Sequence, residues 1–310
     1  MNSQNDPSAP TAPVRHLLEV DDLSPAELVR VLDLAELDAP PQVLSGSGAV
    51  LLFEKPSART RTSAEMAVVQ LGGHPVSLSG DEVGIDTREP AGDLGRLFSG
   101  YGSVIGARVF AHDKLERMAA AASVPVVNLL SDDAHPVQTL ADLLTLRQSF
   151  GRLEGLTISY IGDANNVARS LGIGCGMTGV RFRISSPPGY TFDDTALDRI
   201  RAAGTDVVVL DDPHEAVDGA DAVYTDAWYS MGQEDEQRIR REAFARWRVD
   251  TALVAAAGPS AVFMHCLPAH RGDEVTDDVI DGSASRVWPQ AHNRLHSIRG
   301  LLVWLRTEAR

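Results

Sequence analysis

Basic and hydroxyl side chains are concentrated in one short segment, residues 55–62. Its cations are Lys55, Arg59 and Arg61, and its hydroxyls are Ser57, Thr60 and Thr62. The segment follows the apolar run 49–53, which is typical of a buried strand, and precedes 64–71, which has the pattern of a helix. Unpaired N–H groups and the positive end of the helix dipole lie at the start of such a helix, and cationic side chains add donors. The segment therefore predicts a site for a phosphate ester.

Each of these residues on its own is better explained by a capped helix start with solvated basic side chains. Three cations and three hydroxyls within eight residues, in a chain of net charge -15, favour the anion site instead. The same acidic balance argues against nucleic acid or an anionic membrane as a partner. We therefore predict a pocket for a small anion and not a surface for a polyanion.

Five other stretches place polar side chains at or near the ends of predicted strands. They are Arg108 in an apolar strand, His135 and Gln138 at a helix start, the turn 162–166, the loop 226–234 and the segment 265–268. A buried arginine needs a partner, which a bound anion, a carbonyl or a structural ion pair would supply. The histidine and glutamine could reach one ligand or could belong to a helix cap. The last three stretches could equally be a turn, a surface loop and a buried cysteine.

Strands and helices alternate along most of the chain, which predicts parallel sheets with helices on both faces. The expected fold class is α/β, with two doubly wound parallel-sheet domains joined by interdomain helices. We expect a disordered tail over 1–14, a first domain over 15–135, a second over 136–288, and a helix over about 289–310 that packs back on the first domain. A strand is predicted over 104–110 and a polar loop over 79–90. Ligands should lie where strand ends face the interdomain cleft.

The two cysteines, Cys175 and Cys266, form no disulfide or zinc pattern, which agrees with a reducing compartment and predicts no metal. No basic and apolar leader and no membrane-length apolar run is present, so we expect a cytoplasmic protein.

Residues 174–179 match the dinucleotide-binding fingerprint letter for letter. That fingerprint opens a helix after a strand, whereas here it closes a helix, so we reject a nucleotide site and predict that Cys175 lies in the core.

Together the six stretches resemble the ornithine carbamoyltransferases, within the aspartate and ornithine transcarbamylase family. The resemblance runs from about His16 to Leu305. The family's phosphate motif Ser-Thr-Arg-Thr-Arg corresponds to 57–61, and its His-Pro-x-Gln corresponds to 135–138. The more specific motifs, Asp-x-x-x-Ser-Met-Gly and His-Cys-Leu-Pro, are intact and begin at Asp226 and His265.

The resemblance implies that a carbamoyl group passes from carbamoyl phosphate to the side-chain amine of L-ornithine, giving L-citrulline and phosphate. The implied carbamoyl phosphate residues are Ser57, Ala58, Arg59, Thr60, Arg108, His135, Gln138, Cys266, Leu267 and Arg294. The implied ornithine residues are Asn166, Asp226, Ser230 and Met231. The implied catalytic residues are Arg59, His135, Asp226, Cys266 and Arg294. The family uses no cofactor and is built on a trimer with shared sites, so the resemblance implies a homotrimer.

Some residues depart from the family pattern. Ala58 replaces a threonine and removes one hydroxyl contact, worth about 1 kcal/mol of phosphate binding. His292 stands where the family usually has glutamate, and Asp81, Glu82 and Asp86 occupy a loop that normally presents Gln or His to a neighbouring subunit. These acids would repel a dianion unless the loop points elsewhere. A transcarbamylase for putrescine, lysine or an acylated ornithine, or a carbamoyl phosphate sensor, stays open, although the Ser-Met-Gly loop favours free L-ornithine.

Overall fold

Two parallel β-sheets form the framework of the protein, and each is built from short apolar strands separated by helices. The computed structural model describes residues 14–229 and 236–309. The predicted tail over 1–14 lies outside the described residues, except for Val14.

The first sheet has the strand order β2-β1-β3-β4, and every neighbouring pair is parallel. Its strands are β1 (Gly48–Phe53), β2 (His74–Ser79), β3 (Val104–Arg108) and β4 (Val126–Leu130). The helices of this half are α1 (Pro25–Ala35), α2 (Ala58–Gln70), α3 (Gly80–Val83), α4 (Ala91–Ser99) and α5 (His112–Ala121). Because β2 and β3 lie on opposite sides of β1, the order reverses between β1 and β3, and ligands in α/β sheets bind at such a switch point.

The second sheet has the order β7-β6-β5-β8-β9 and is also parallel throughout. Its strands are β5 (Thr157–Ile161), β6 (Arg181–Ser185), β7 (Val208–Leu210), β8 (Ala222–Thr225) and β9 (Val262–His265). Its helices are α7 (Asn166–Thr178), α8 (Asp194–Ala202), α9 (Pro213–Val217), α10 (Gln237–Phe244), α11 (Thr251–Ala257) and α12 (Asp277–Ile280). The switch point of this sheet lies between β5 and β8.

Two long helices, α6 (Pro136–Phe150) and α13 (Val287–Thr307), connect the two sheets. α13 packs against α1, α2 and α6 and also touches β9. One apolar cluster runs through both halves and includes Leu51 of β1, Leu140 of α6, Ile158 of β5 and Leu301 of α13. Both helices carry polar side chains into this interior, and several of those side chains belong to the site described below.

The predicted α/β fold class with two parallel sheets is confirmed. The predicted loop over 79–90 is wrong in part, because β2 extends to Ser79 and α3 follows directly. Glu82 accepts hydrogen bonds from the backbone N–H and the hydroxyl of Ser79, at 2.6 and 2.9 Å, and this capping box begins the short helix. The strand predicted over 104–110 ends at Arg108, where its register with β4 shifts. Among the residues described, no helix has the length and apolar character that crossing a bilayer requires.

A close helix crossing makes Gly300 sensitive to substitution. A Cβ atom at this position of α13 would lie 2.5 Å from the Val31 carbonyl oxygen and 2.6 Å from the Ala35 nitrogen of α1. We expect Gly300→Ala to lower the free energy of unfolding by about 1–3 kcal/mol, because the two backbones must move apart. Urea denaturation measures this, with Gly92→Ala in α4 as the control. A Cβ at Gly92 meets nothing closer than 3.6 Å. Equal stabilities for the two variants would contradict the packing described.

Candidate active site

The start of α2 follows the carboxyl end of β1, at the switch point of the first sheet. Ser57 caps this helix, because its Oγ accepts the Thr60 N–H at 3.3 Å and lies 3.1 Å from the Thr60 hydroxyl. Arg59 is half-buried, and loss of solvent lowers the pKa of its guanidinium. Cys266 and Asp226 lie close enough to oppose this shift. The predicted phosphate-binding segment of the first half therefore faces the strand ends of the second half.

The structure does not bring every basic residue of this segment together. Arg61 is exposed and pairs with Glu65 at 2.8 Å, so it faces away from Thr60. Lys55 lies over the Phe110 ring, 4.3 Å from its centroid, and burial followed by the charge of Arg108 lowers its pKa. Fewer side chains than the six predicted can therefore take part in the anion site. Ser57, Arg59 and Thr60 are the ones that lie at the start of α2.

Two further arginines from distant elements converge on Thr60. Arg294 of α13 donates from Nη2 to the Thr60 Oγ1 at 3.2 Å, and Arg108 at the end of β3 donates from Nη1 to the same oxygen at 3.5 Å. Both are buried, and desolvation lowers the pKa of each guanidinium to about 10. Within residues 14–229 and 236–309, neither these two nor Arg59 has an acidic side chain within 4.0 Å. Positive charge gathered without a carboxylate partner marks a site for an anion.

His135 and Gln138 lie at the start of α6, beside the arginines. The His135 backbone N–H donates to the Ser170 hydroxyl at 2.9 Å, which fixes the beginning of the helix. Burial, followed by the charges of Arg294, Arg108 and Arg59, lowers the pKa of the His135 imidazole well below its usual value, so the ring is neutral. The Gln138 Oε1 accepts from Nη1 of Arg294 at 2.5 Å. A neutral imidazole and a row of guanidinium groups can donate to a carbonyl oxygen as it gains charge.

The strand ends of the second sheet bring Asp226 and Cys266 together. The Cys266 thiol donates to the Asp226 Oδ1 at 2.9 Å, and the Asn165 Nδ2 donates to the Asp226 Oδ2 at 3.0 Å. Cys266 is half-buried as a residue, but its sulfur is enclosed, and desolvation followed by Asp226 raises the thiol pKa well above its usual value. The cysteine is therefore a protonated donor and not a thiolate nucleophile.

The backbone after Cys266 is held by a buried histidine. Leu267 has a φ of 61°, a left-handed conformation that non-glycine residues seldom adopt. Its N–H donates to Nδ1 of His265 at 2.9 Å, while Nε2 of the same ring lies 3.2 Å from Glu274. This geometry requires the tautomer with the proton on Nε2. The pair His265 and Glu274 therefore fixes the conformation of the predicted substrate-contacting residue Leu267.

Asp226, His265 and Cys266 also place potential metal ligands within 4.8 Å of one another. Both ring nitrogens of His265 are engaged, one by the Leu267 N–H and the other by Glu274. The raised thiol pKa further disfavours the thiolate that a metal would need. The donor set does not fit a resident metal.

Of the three acidic residues that the sequence analysis named in segment 79–90, two have partners within the protein. Glu82 belongs to the α3 capping box, and Asp86 pairs with Arg117 at 2.5 Å, which lowers the Asp86 pKa to about 2. Asp81 is exposed. His292 is exposed on α13.

The remaining sequence predictions concern the amino-acid end of ornithine. Asn166 is the first residue of α7, and its Nδ2 donates to the Ser131 carbonyl oxygen at 2.6 Å. The neighbouring Asn165 lies in the predicted turn 162–166 but was not among the implied ornithine residues, and it donates to Asp226 beside the Cys266 contact. Ser230 and Met231 lie outside the described residues.

Sequence reasoning also missed three buried carboxylates, Glu19, Asp142 and the Glu274 that contacts His265. Asp142 interrupts the apolar run 140–144 in α6, and an acid in such a run was a usable signal of a buried polar contact. Glu19 offered a similar but weaker signal, because it interrupts the short apolar run 17–20 before α1. Its Oε2 accepts from the Ser170 hydroxyl at 2.9 Å, and that hydroxyl in turn accepts from the His135 N–H.

Comparison with known proteins agrees with this fold and geometry. Residues 15–148 match the carbamoyl-P binding domain of the aspartate/ornithine carbamoyltransferases, and residues 154–305 match the Asp/Orn binding domain. The chain belongs to the aspartate/ornithine carbamoyltransferase family, as the sequence motifs predicted.

Within that family the chain is similar to ornithine carbamoyltransferases. It is 46% identical to the ornithine carbamoyltransferase of Haloquadratum walsbyi over 301 residues, which cover 94% of this chain and 98% of the relative. The structure of the Pyrococcus furiosus ornithine carbamoyltransferase matches with a TM-score of 0.88 and 41% identity, covering 93% of this chain and 96% of that one. An N-acetyl-L-ornithine transcarbamylase mutant complexed with PALAO matches with a TM-score of 0.85 but 30% identity, covering 94% and 100%.

The Glu19 contact predicts a measurable dependence of stability on pH. Burial raises the pKa of this carboxyl to about 7 from a usual 4.5. Between these two values the folded protein keeps a proton that the unfolded chain has lost. The contribution of Glu19 to stability is therefore fully present below pH 4.5 and is lost as the pH rises through about 7. We expect the difference in unfolding free energy between the protein and Glu19→Gln to change by about 2 kcal/mol between pH 5 and 8.

Chemical denaturation at a series of pH values measures this difference, and other titrating groups cancel because both proteins contain them. Glu116→Gln on α5 is the control, since Glu116 is exposed and its loss removes the same charge. A Glu19→Gln curve parallel to that of the wild type would contradict the buried environment described.

Proposed function

We propose that this protein transfers the carbamoyl group of carbamoyl phosphate to the side-chain amine of L-ornithine, giving L-citrulline and phosphate. The observation that carries the proposal is the convergence of Arg108 and Arg294 on Thr60, beside Arg59 and within reach of Asp226 and Cys266. An anion site and a site for an amine thus meet between the two sheets. Membership of the family and 46% identity to an ornithine carbamoyltransferase support this reaction over the alternatives.

The phosphate of the first substrate is assigned to the start of α2 and its neighbours. Ser57, the backbone N–H of Ala58, Arg59, Thr60 and Arg108 hold its oxygens, since N–H groups, hydroxyls and guanidinium groups are all donors. Ala58 contributes only its backbone, which makes the site one hydroxyl poorer than the family motif. The arginines also stabilise the phosphate as it leaves with the electron pair of the broken C–O bond.

The carbonyl group of carbamoyl phosphate is assigned to hydrogen-bond donors. Their hydrogen bonds strengthen as negative charge develops on the carbonyl oxygen. Arg59, Thr60, His135, Gln138 and Arg294 surround it, and the neutral His135 imidazole donates without adding charge. Leu267 and Cys266 complete the carbamoyl pocket. The ornithine amine attacks the carbonyl carbon to form the new C–N bond, and the tetrahedral oxyanion then collapses as phosphate departs.

L-Ornithine, which accepts the carbamoyl group, is assigned to the strand ends of the second sheet. Asp226 and Cys266 orient the side-chain amine, and Asn166, Ser230 and Met231 hold the amino-acid end. The amine has a pKa of roughly 10.4, like that of lysine, so it arrives charged and must lose a proton before it attacks.

The first domain is assigned to 15–135 and the second to 136–288, and the last helix returns to the first domain. The contacts of α13 with α1 and α2 support this division.

The assembly, location and pathway follow from the same assignment. We propose a homotrimer, which the exposed apolar residues Met66, Val69 and Val76 on α2 and the edge strand β2 support. A cytoplasmic enzyme of arginine metabolism fits the reaction, and a chain of net charge -15 fits the absence of nucleic-acid and membrane partners.

A citrulline assay with L-ornithine, N-acetylornithine, lysine and putrescine tests the proposed function. We expect citrulline from L-ornithine at a rate that rises from about pH 6 to about pH 9, because only the uncharged amine attacks. Arg59→Ala should lower kcat/KM by about 100-fold or more. Cys266→Ala should mainly raise the KM for ornithine.

Arg96→Ala, an exposed arginine on α4, and Cys175→Ala, the buried core cysteine, are the matched controls and should keep wild-type kinetics. Tight carbamoyl phosphate binding without citrulline would favour a sensor. A better rate with another amine would identify a sister transcarbamylase.

A further inference from the structure

A single buried carboxylate, Asp142, lies at the centre of the polar contacts between α6 and α13. Its Oδ1 accepts from Nε2 of Gln138 at 2.8 Å and from Nε2 of Gln290 at 2.7 Å. Its Oδ2 accepts from the Tyr224 hydroxyl at 3.2 Å. The residue is 0% exposed, so these donors from α6, α13 and β8 replace the water that a carboxylate would otherwise bind.

Asp142 fixes the orientation of the side-chain amides of Gln138 and Gln290. The Asp142 Oδ1 accepts from both amides, so each glutamine turns its NH2 group to Asp142 and its oxygen away. Burial raises the pKa of Asp142 to about 7, and a proton on Oδ2 would leave both of these contacts in place. The Gln138 oxygen thereby accepts from Arg294 at 2.5 Å. The Gln290 oxygen accepts from the His265 N–H at 2.8 Å, one residue before Cys266. A reversed Gln138 amide would place N–H groups against the guanidinium and lose both contacts.

Asp142, when ionised, also acts on the charge of the buried Arg294. Burial lowers the pKa of this arginine to about 10, and the charge of Asp142 is the largest influence that opposes the shift. The carboxylate does not pair with the guanidinium directly but acts through the Gln138 amide, which leaves Arg294 facing Thr60.

We infer that Asp142 is a positioning residue for carbamoyl phosphate, which aims Arg294 and Gln138 at the carbamoyl group and, through Gln290, fixes the end of β9 before Cys266. The inference rests on the proposed function, because it takes the carbamoyl group as the ligand of Arg294. Asp142 touches no substrate itself. It lies between the anion site and the amine site and connects them through one amide on each side.

Substitutions that separate hydrogen bonding from packing test this role. Asp142→Ala and Asp142→Leu remove the acceptor, and leucine also fills the volume. Asp142→Asn keeps one oxygen that can accept from both glutamines. Thr145→Val, one turn further along α6, removes the hydroxyl that accepts from Asn293 of α13 at 2.9 Å, and it is the control for a broken contact between the same two helices.

We expect Asp142→Ala and Asp142→Leu, the two variants without an acceptor, to lower kcat/KM for carbamoyl phosphate roughly 10- to 100-fold. This is the range seen when groups that orient metal ligands are removed. The KM for ornithine should rise by no more than about 3-fold, because Asp142 reaches Cys266 only indirectly, through Gln290 and the His265 N–H. Asp142→Asn should retain activity within about 5-fold of the wild type. Thr145→Val should lose stability but keep wild-type kinetics.

The inference would be overturned if Asp142→Ala and Asp142→Leu had the kinetics of Thr145→Val, or if Asp142→Asn lost as much activity as those two variants. It would also be overturned if Asp142→Ala and Asp142→Leu were recovered only as unfolded chain, because the residue would then be structural. If the wild type formed no citrulline, the proposed function would fail instead. Calorimetry of carbamoyl phosphate binding to the wild type and to Asp142→Leu would then decide the inference, and equal affinities would reject it.

Discussion

The structure depends on positive charge that is buried without acidic partners. Arg108 and Arg294 converge on the Thr60 hydroxyl, and Arg59 lies beside them. Taking guanidinium groups out of water is costly, and a hydroxyl and an amide compensate only partly for the lost solvent. Burial is the main cause of the lowered pKa at Arg108, Arg294 and His135. Repulsion from the neighbouring arginines comes next at Arg108 and His135, whereas at Arg294 the charge of Asp142 opposes the shift. An anion relieves this cost when it binds, so the site is preorganised for a negatively charged substrate.

The fold supplies this arrangement through the order of its strands. Arg59 follows β1 and Arg108 ends β3, which are the two strands at the first switch point. Asn165 follows β5 and Asp226 follows β8, the two strands at the second switch point. Helices α6 and α13 then contribute His135, Gln138 and Arg294 from between the sheets. The two α/β sheets thus place the proposed anion site opposite the proposed amine site, and Asp142 connects the two helices at their centre.

Much of this could be predicted from the sequence, because the determining patterns are local. The alternation of apolar strands and helices indicated two parallel sheets, and short motifs such as 57–61 and 265–268 carry their residues within a single turn. Contacts between distant positions were not predictable in the same way. Asp142 and Gln290 are 148 residues apart, and Glu19 and Ser170 are 151 apart, so no local pattern joins them. The short helix α3 was missed for a different reason, since Ser79 and Glu82 form a capping box in a stretch whose acidic residues favoured a loop.

A crystal structure with a bisubstrate analogue, in which a phosphonate is joined to ornithine, tests most directly whether the buried arginines bind the phosphate of the substrate. We expect phosphonate oxygens within about 3.2 Å of donors on Arg59, Arg108 and Thr60, with the analogue carbonyl next to Arg294 and His135. The amino-acid end should extend towards Asp226. A phosphonate bound by other side chains, or an analogue that contacts only one of the two sheets, would contradict this expectation.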